Sequence, residues 1–264
     1  MHRPENRQRS VWLIAGTGDG PRLAEILISE GWNVSISVVS DAAAQSYRGI
    51  DLASIHVGAF GGSLEIVQWL QVNQVDWVVD ATHPFAVQIS RQLNEACQGL
   101  GQQLVRFERP SESWLEAVVL ASISELADQS LSGRQILLAL GARQLIDAAQ
   151  AVRDSGASVF ARVLPSPMSL IQAGAAGVQP DHLAVVRPLH GLHPGALEAA
   201  VCKRWNITDV VCRQSGGATE LLWGRLSMEM GLGLWLLRRP SPIADVPLVQ
   251  SAKQLLLHLN PPLI

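Results

Sequence analysis

Charge is scarce in this chain. Only 16% of its 264 residues are Asp, Glu, Lys or Arg, against about a quarter in an ordinary soluble domain. The 20 basic residues are outnumbered by 23 acidic ones, leaving a net charge of -3. No general positive field exists to hold a nucleic-acid backbone, and nucleic acid is not an expected partner. Cysteine is rare as well. Cys97, Cys202 and Cys212 are odd in number and lack CxxC spacing, so they frame neither a disulfide scaffold nor a structural zinc site, and they read as buried small hydrophobes of a reducing compartment. Long apolar runs are missing: the most apolar stretch, Leu221 to Leu237, is broken by Arg225, Glu229 and several glycines and falls short of about 18 residues. After the polar residues 1–10, Val11 to Ala15 is too short for a signal-peptide core. The expectation is a cytoplasmic, soluble protein with a flexible tail at 1–10 and no membrane partner. There is no GxSxG elbow, P-loop lysine or HExxH helix, which argues against the hydrolases and kinases those motifs mark.

What the chain has is alternation. Its length divided by about 150 residues per domain gives two small domains or one large one. Short β-rich runs at Val11 to Gly16, Asn33 to Ser40, Ser54 to Gly58, Asp76 to Thr82 and Gln103 to Glu108 are separated by helical periods such as Pro21 to Glu30, Ser63 to Gln71 and Phe85 to Leu100. This is the pattern of a parallel α/β sheet. A polar, proline-marked stretch, Arg109 to Ser113, reads as a linker. Strands then resume at Ala117 to Ala121, Gln135 to Leu140, Ser158 to Leu164, Leu183 to Arg187, Asp209 to Arg213 and Leu234 to Arg238, with a last helix at Leu248 to Leu259. The predicted organisation is two Rossmann-like α/β domains, 11–110 and 111–264, with a ligand at the carboxyl ends of the strands in the cleft between them.

Chemistry concentrates at those strand ends. The first strand runs into Gly16-Thr17-Gly18-Asp19-Gly20-Pro21, with Pro21 at a favoured first helical position. Glycines permit close backbone approach and a helix N-terminus favours negative charge, so a phosphate suits this turn, although the spacing is GxGxG and not GxGxxG. The next strand ends in Ser40-Asp41: Asp41 fits ribose hydroxyls, whereas Ser37, Ser40 and Arg48 fit a 2'-phosphate. The fourth ends in Asp80-Ala81-Thr82-His83, next to a helix started by Pro84, where His83 is a candidate to orient a ligand or donate a proton and Thr82 to cap a helix or bond a cofactor. In the second half Arg143, Arg162, Arg187 and Arg213 fall in or just after strands, and such a cluster suits a ligand with several carboxylates. His190 and His193 have no carboxylate or cysteine partner nearby, and no metal is expected.

The turn GTGDGPRLA (Gly16 to Ala24), the segment VVDATHPFAVQIS (Val78 to Ser90), the run RFERP (Arg106 to Pro110) and SGG (Ser215 to Gly217) together resemble the precorrin-6A reductase family of cobalamin biosynthesis. The resemblance spans nearly the whole chain, with DATHPFA its most specific part. It implies reduction of one double bond of precorrin-6A, or of its cobalt-containing counterpart, by NADPH. It also implies that Gly16, Thr17, Gly18, Asp19, Gly20 and Ser40 bind the cofactor, that Thr82 and His83 form the catalytic junction, and that Arg143, Arg213, Ser215, Gly216 and Gly217 meet the tetrapyrrole carboxylates or cofactor phosphates. Transfer of substrate between neighbouring pathway enzymes is compatible with it. Two departures fall on the expected substrate contacts: Arg213-Gln214 precedes SGG where the family commonly has Lys-Asp, and Leu221-Leu222 stand where a lysine is expected.

Two other readings compete. A short-chain or nucleotide-sugar oxidoreductase shares the glycine turn but needs a Tyr and Lys four apart, and the sole tyrosine, Tyr47, has no such lysine. A non-catalytic tetrapyrrole or nucleotide sensor would keep the fold and lose turnover.

Overall fold

A computed structural model describes residues 8–187 and 193–260. The chain divides into two compact units, one comprising residues up to Pro110 together with those from Pro240 onward, the other Ser111–Arg239. In the first unit β1 (Ser10–Ala15), α1 (Gly20–Ser29), β2 (Asn33–Val38), α2 (Asp41–Ala44), β3 (Ser54–Val57), α3 (Ser63–Asn73), β4 (Trp77–Ala81), α4 (Val87–Leu100) and β5 (Gln103–Phe107) follow in order. The second contains β6 (Val118–Leu120), β7 (Gln135–Leu138), α5 (Leu145–Asp154), β8 (Ser158–Val163), α6 (Pro167–Ala175), β9 (Leu183–Val185), α7 (Ala196–Arg204), β10 (Asp209–Arg213), α8 (Ala218–Met230) and β11 (Gly233–Leu237). The chain then returns to the first sheet with β12 (Leu248–Val249) and α9 (Ala252–Leu259).

That return corrects the sequence reading, which assigned everything after residue 110 to the second domain. β12 pairs in parallel with β5, and Arg106 and Glu108 donate backbone N–H bonds to the Pro247 and Val249 carbonyls. A two-residue strand has no periodicity for a sequence to reveal. The amino-terminal expectation also shifts: β1 starts at Ser10, and the Arg9 guanidinium lies over the Trp32 ring at 4.7 Å. The rest of that tail, residues 1–7, lies outside the described residues, as does His190.

Both sheets have the same order. The first runs β3-β2-β1-β4-β5-β12 and the second β9-β8-β7-β10-β11-β6, and every pairing among the described residues is parallel. This is the doubly wound arrangement, in which the strand order reverses between β1 and β4 in one unit and between β7 and β10 in the other. Such a reversal opens a crevice at the carboxyl ends where ligands bind.

The central strand shows why the sequence folds this way. All six residues of β1 are buried, as a strand covered on both faces must be. Val11, Leu13 and Ala15 enter one core with Leu23, Leu27, Leu255 and Leu259, while Trp12 and Ile14 enter another with Ile66, Leu70, Leu93 and Cys97. Trp12 stacks on Trp69 with ring centroids 3.9 Å apart.

Leu255 tests whether the returning helix belongs to the first core. Leu255→Ala is expected to lower the unfolding free energy by about 2–5 kcal/mol in urea titrations, and an unchanged midpoint would detach α9 from it.

Candidate active site

At the first unit's reversal point the three glycines have different jobs. A Cβ on Gly16 would sit 3.3 Å from the His83 backbone nitrogen and 3.4 Å from the Thr82 Cα, so this glycine lets the turns after β1 and β4 touch. A Cβ on Gly20 would collide with the Tyr47 hydroxyl and the Ala15 methyl, so this one seats α1 on the sheet. Around Gly18 no atom lies within 4 Å of that position. No protein contact demands glycine there; the space above it is open to a ligand that approaches the backbone closely. Asp19 sits at the N-cap of α1, but its carboxylate caps nothing: it accepts from the Thr17 hydroxyl (3.1 Å) and pairs with Arg109 Nε (2.8 Å). The negative charge of Asp19 at this turn is thereby offset by a cation just after β5.

Beneath this turn lies a buried charged network. Asp80 and Arg106 are register partners on β4 and β5, and Arg106 Nη1 pairs with Asp80 Oδ1 at 2.7 Å. The same guanidinium donates to Thr82 Oγ1 (2.9 Å) and the Thr82 carbonyl (3.0 Å), and pairs with Glu108 at 3.3 Å. Thr82 in turn donates its hydroxyl to Asp80 Oδ1 (2.7 Å). Asp80, Thr82, Ser90, Arg106 and Glu108 are all buried. Thr82 is thus tied into the protein by its own hydroxyl, which marks it as a residue that positions the turn.

The turn itself differs from expectation. Pro84 does not start a helix: α4 begins at Val87, and Ala86 N donates to the His83 carbonyl at 2.7 Å, closing a four-residue β-turn with Pro84 in its second position. His83 is half-buried, and its Nδ1 accepts from Phe85 N at 3.2 Å. That bond makes Nε2 the proton-bearing atom of the neutral ring.

The other expected residues divide. Ser40 is exposed at the end of β2 and caps α2, accepting from Ala43 N at 3.3 Å. Ser37 is buried and accepts from Trp12 Nε1 at 2.8 Å, so its proposed contact with a 2'-phosphate is withdrawn. In the second unit Gly141, at φ +84°, lies directly under the Arg213 guanidinium, where any Cβ would collide with Nη2. Arg143 follows two residues later. Both arginines are therefore at the carboxyl ends of β7 or β10. The Ser215-Gly216-Gly217 turn is satisfied from within: Gly216 N donates to Glu220 Oε2 (2.6 Å) and Gly217 N to Ser215 Oγ (3.4 Å). Those two N–H groups are occupied from within the turn.

Arg106, Glu108 and Arg109 were quoted in the sequence only as part of a resemblance. Their signal was present in register: a buried Asp at the end of one strand needs a cation from the strand that pairs beside it, and RFERP follows the strand after Asp80.

With this geometry in hand, comparisons with known proteins are informative. The family described as "Precorrin-6x reductase CbiJ/CobK" matches residues 10–260. The chain belongs to this family. It is 34% identical over 242 residues to the cobalt-precorrin-6A reductase of Synechocystis, covering 89% of this chain and 90% of that one. It is 26% identical to the precorrin-6A reductase of Mycobacterium tuberculosis, over 91% and 93% of the two chains. A solved CobK precorrin-6A reductase shares the fold, with a TM-score of 0.73 at 23% identity over 96% of each chain. The protein is an oxidoreductase of cobalamin biosynthesis. Among the described residues no helix is long and apolar enough to cross a membrane, and no cluster of three or more His, Cys, Asp or Glu is placed to hold a metal.

Family membership makes the buried network a target for mutation. Arg106→Met removes the cation that pairs with Asp80 at 2.7 Å and is expected to cost about 3–5 kcal/mol of stability in denaturant titrations; a loss under about 1 kcal/mol would show the network is dispensable.

Tyr47, beside Gly20, allows a second check. Burial pushes its hydroxyl from 10.0 up to about 12. As the folded form resists ionisation, the stabilisation is complete below pH 10 and is lost as pH rises toward about 12. The chain has one tyrosine, so an ultraviolet phenolate titration reads it alone. A midpoint near 10 in the folded protein would contradict the packing of Tyr47.

Proposed function

We propose that the protein uses NADPH to reduce one double bond of precorrin-6A or of its cobalt-containing counterpart, working in the cytoplasm. The observation that carries the cofactor half of this reading is the open approach above Gly18, at a strand-order reversal and in front of the α1 N-terminus. A pyrophosphate fits there, because backbone N–H groups and the helix dipole both favour negative charge. Gly16, Thr17, Gly18, Asp19 and Gly20 would hold it, with Arg109 neutralising Asp19, and the exposed Ser40 at the end of β2 is placed for the ribose side. The buried free cysteines support a reducing compartment.

NADPH supplies a hydride when bound. The chain's own task is to fix the acceptor and to place a proton. Arg106 clamps Thr82 through its hydroxyl and carbonyl, Thr82 holds the strand end against Asp80, and His83 stands on the next residue of that clamped segment. Reduction of a C=C bond takes one hydride and one proton; the proton comes from solvent water, and His83, whose neutral ring carries its hydrogen on Nε2, is the residue we assign to orienting that water at the acceptor carbon. In the second unit Arg143 and Arg213 offer charge to the carboxylates of the tetrapyrrole.

Mixing the protein with NADPH and enzymatically prepared precorrin-6A, with and without cobalt, tests this directly. The nicotinamide absorbance is expected to fall with at least one of the two; cofactor binding without oxidation by either would favour the non-catalytic sensor. In the same assay Gly18→Val is expected to raise the Kd for NADPH at least about tenfold with little change in Tm, since nothing packs against that position. An unaltered Kd in the folded variant would remove the phosphate from this turn.

A further inference from the structure

The second unit carries a buried cation that its own fold does not satisfy. Arg162 is the fifth residue of β8 and only 7% exposed. Its Nε and Nη2 are buried and have no hydrogen-bond acceptor among the described residues. These two nitrogens are adjacent donors on one edge of the guanidinium. That edge matches the two oxygens of a single carboxylate, which it binds in a side-on, bidentate manner.

Register places Arg162 beside the reversal point of its sheet. Ala161 and Val211 both pair with Leu138, so one residue further along Arg162 and Cys212 flank Ala139 on the same face. The next residue is Arg213, whose guanidinium covers Gly141. Arg143 and Arg162 both act on Arg213 and, with burial as the larger cause, hold its ionisation below the usual arginine range. Arg143 and Arg162 are thus both within electrostatic range of Arg213, at the ends of β7, β8 and β10. Glu198, buried on α7, is within electrostatic range of Arg162, yet the Nε and Nη2 atoms are not its hydrogen-bond donors. A buried charged donor left without an acceptor is costly, and like charges gathered at a ligand crevice are a common mark of an anion site.

We propose that Arg162 is the anchor of a carboxylate-binding site at the carboxyl edge of the second sheet, flanked by Arg143 and Arg213, which grips one carboxylate of the macrocycle side-on. The carboxylate site stands on Arg162 itself; naming the macrocycle as its source rests on the function proposed above.

The test uses the full chain and two probes: uroporphyrin III, a stable tetrapyrrole octacarboxylate, followed by quenching of tryptophan fluorescence, and tricarballylate, a small tricarboxylate, followed by its effect on Tm. Arg162→Met is expected to raise the Kd for uroporphyrin at least about tenfold and to abolish the tricarballylate shift. Its NADPH affinity should be unchanged, and its Tm no lower than that of the parent. Arg162→Lys keeps the charge but loses the two-donor edge; it should show the same direction of change and covers the case in which the Met variant fails to fold. Unchanged affinity for both probes in either folded variant, or no binding of either probe by the parent, overturns the site. So does a lower Tm in Arg162→Met that Glu198→Gln restores, since that would make Arg162 the partner of an internal ion pair. Arg162-dependent binding of tricarballylate alone keeps the carboxylate site and removes the macrocycle as its source. Failure of NADPH oxidation with Arg162-dependent binding intact counts against the proposed reaction and not against the site.

Discussion

One guanidinium holds the working end of the first sheet together. Arg106 reaches from β5 to Asp80, to both oxygens of Thr82 and to Glu108, so the ends of two strands and the turn between β4 and α4 move as one piece. The network is buried, where an arginine with well-made partners is stable and one with a partner missing is not. Because the backbone of Thr82 and His83 lies against Gly16, the glycine turn inherits that rigidity. Position passes from a buried ion cluster to a surface loop through van der Waals contact, without any side chain of the loop entering the core.

This arrangement separates two demands that conflict. A phosphate-binding turn has to leave its backbone uncovered, and a bare backbone is poorly held. Here Gly16 and Gly20 make the holding contacts, one to the neighbouring turn and one to the helix seat, while at Gly18 between them no atom lies within 4 Å of where a Cβ would stand. The carboxylate of Asp19 would oppose an anion in that space, and Arg109 sits 2.8 Å from it. The charge balance at the turn is therefore supplied from β5, the same strand that carries Arg106.

Much of this was legible from the sequence because strand and helix periods alternate cleanly and both faces of β1 are apolar. The glycine turn, Asp80, Thr82 and His83 stood out because the carboxyl ends of strands in a parallel sheet are fixed by topology, and topology follows from element order. What escaped were features that depend on the partner strand or on a distant segment. β12 is two residues long and pairs with a strand some 140 positions earlier, beyond any local pattern. Ser37 looked available for a phosphate, but alternation alone cannot show that Trp12 on the adjacent strand claims its hydroxyl. Pro84 was read as a helix start when it shapes a turn, since proline favours both positions equally well.

The two units answer the same topological problem with different chemistry. Each sheet reverses its strand order, beside β1 in one unit and β7 in the other, and so creates a crevice, but the sixth strand is β12, from late in the chain, in one unit and β6, from the unit's entry, in the other. The first unit leaves its helix-start turn open, which suits a diffuse phosphate charge met by backbone N–H groups. The second closes the corresponding turn with Glu220, whose carboxylate takes the Gly216 N–H and accepts from Trp114 Nε1 at 3.2 Å. A helix N-terminus already bound to its own carboxylate repels a second anion, and attraction must then come from side chains. Arg143, Arg162 and Arg213 lie at the ends of β7, β8 and β10 in that unit, and a planar guanidinium edge suits a carboxylate. On the proposed function, the division between cofactor and substrate is written in this difference: backbone dipoles for the phosphates, guanidinium edges for the acid side chains of the macrocycle.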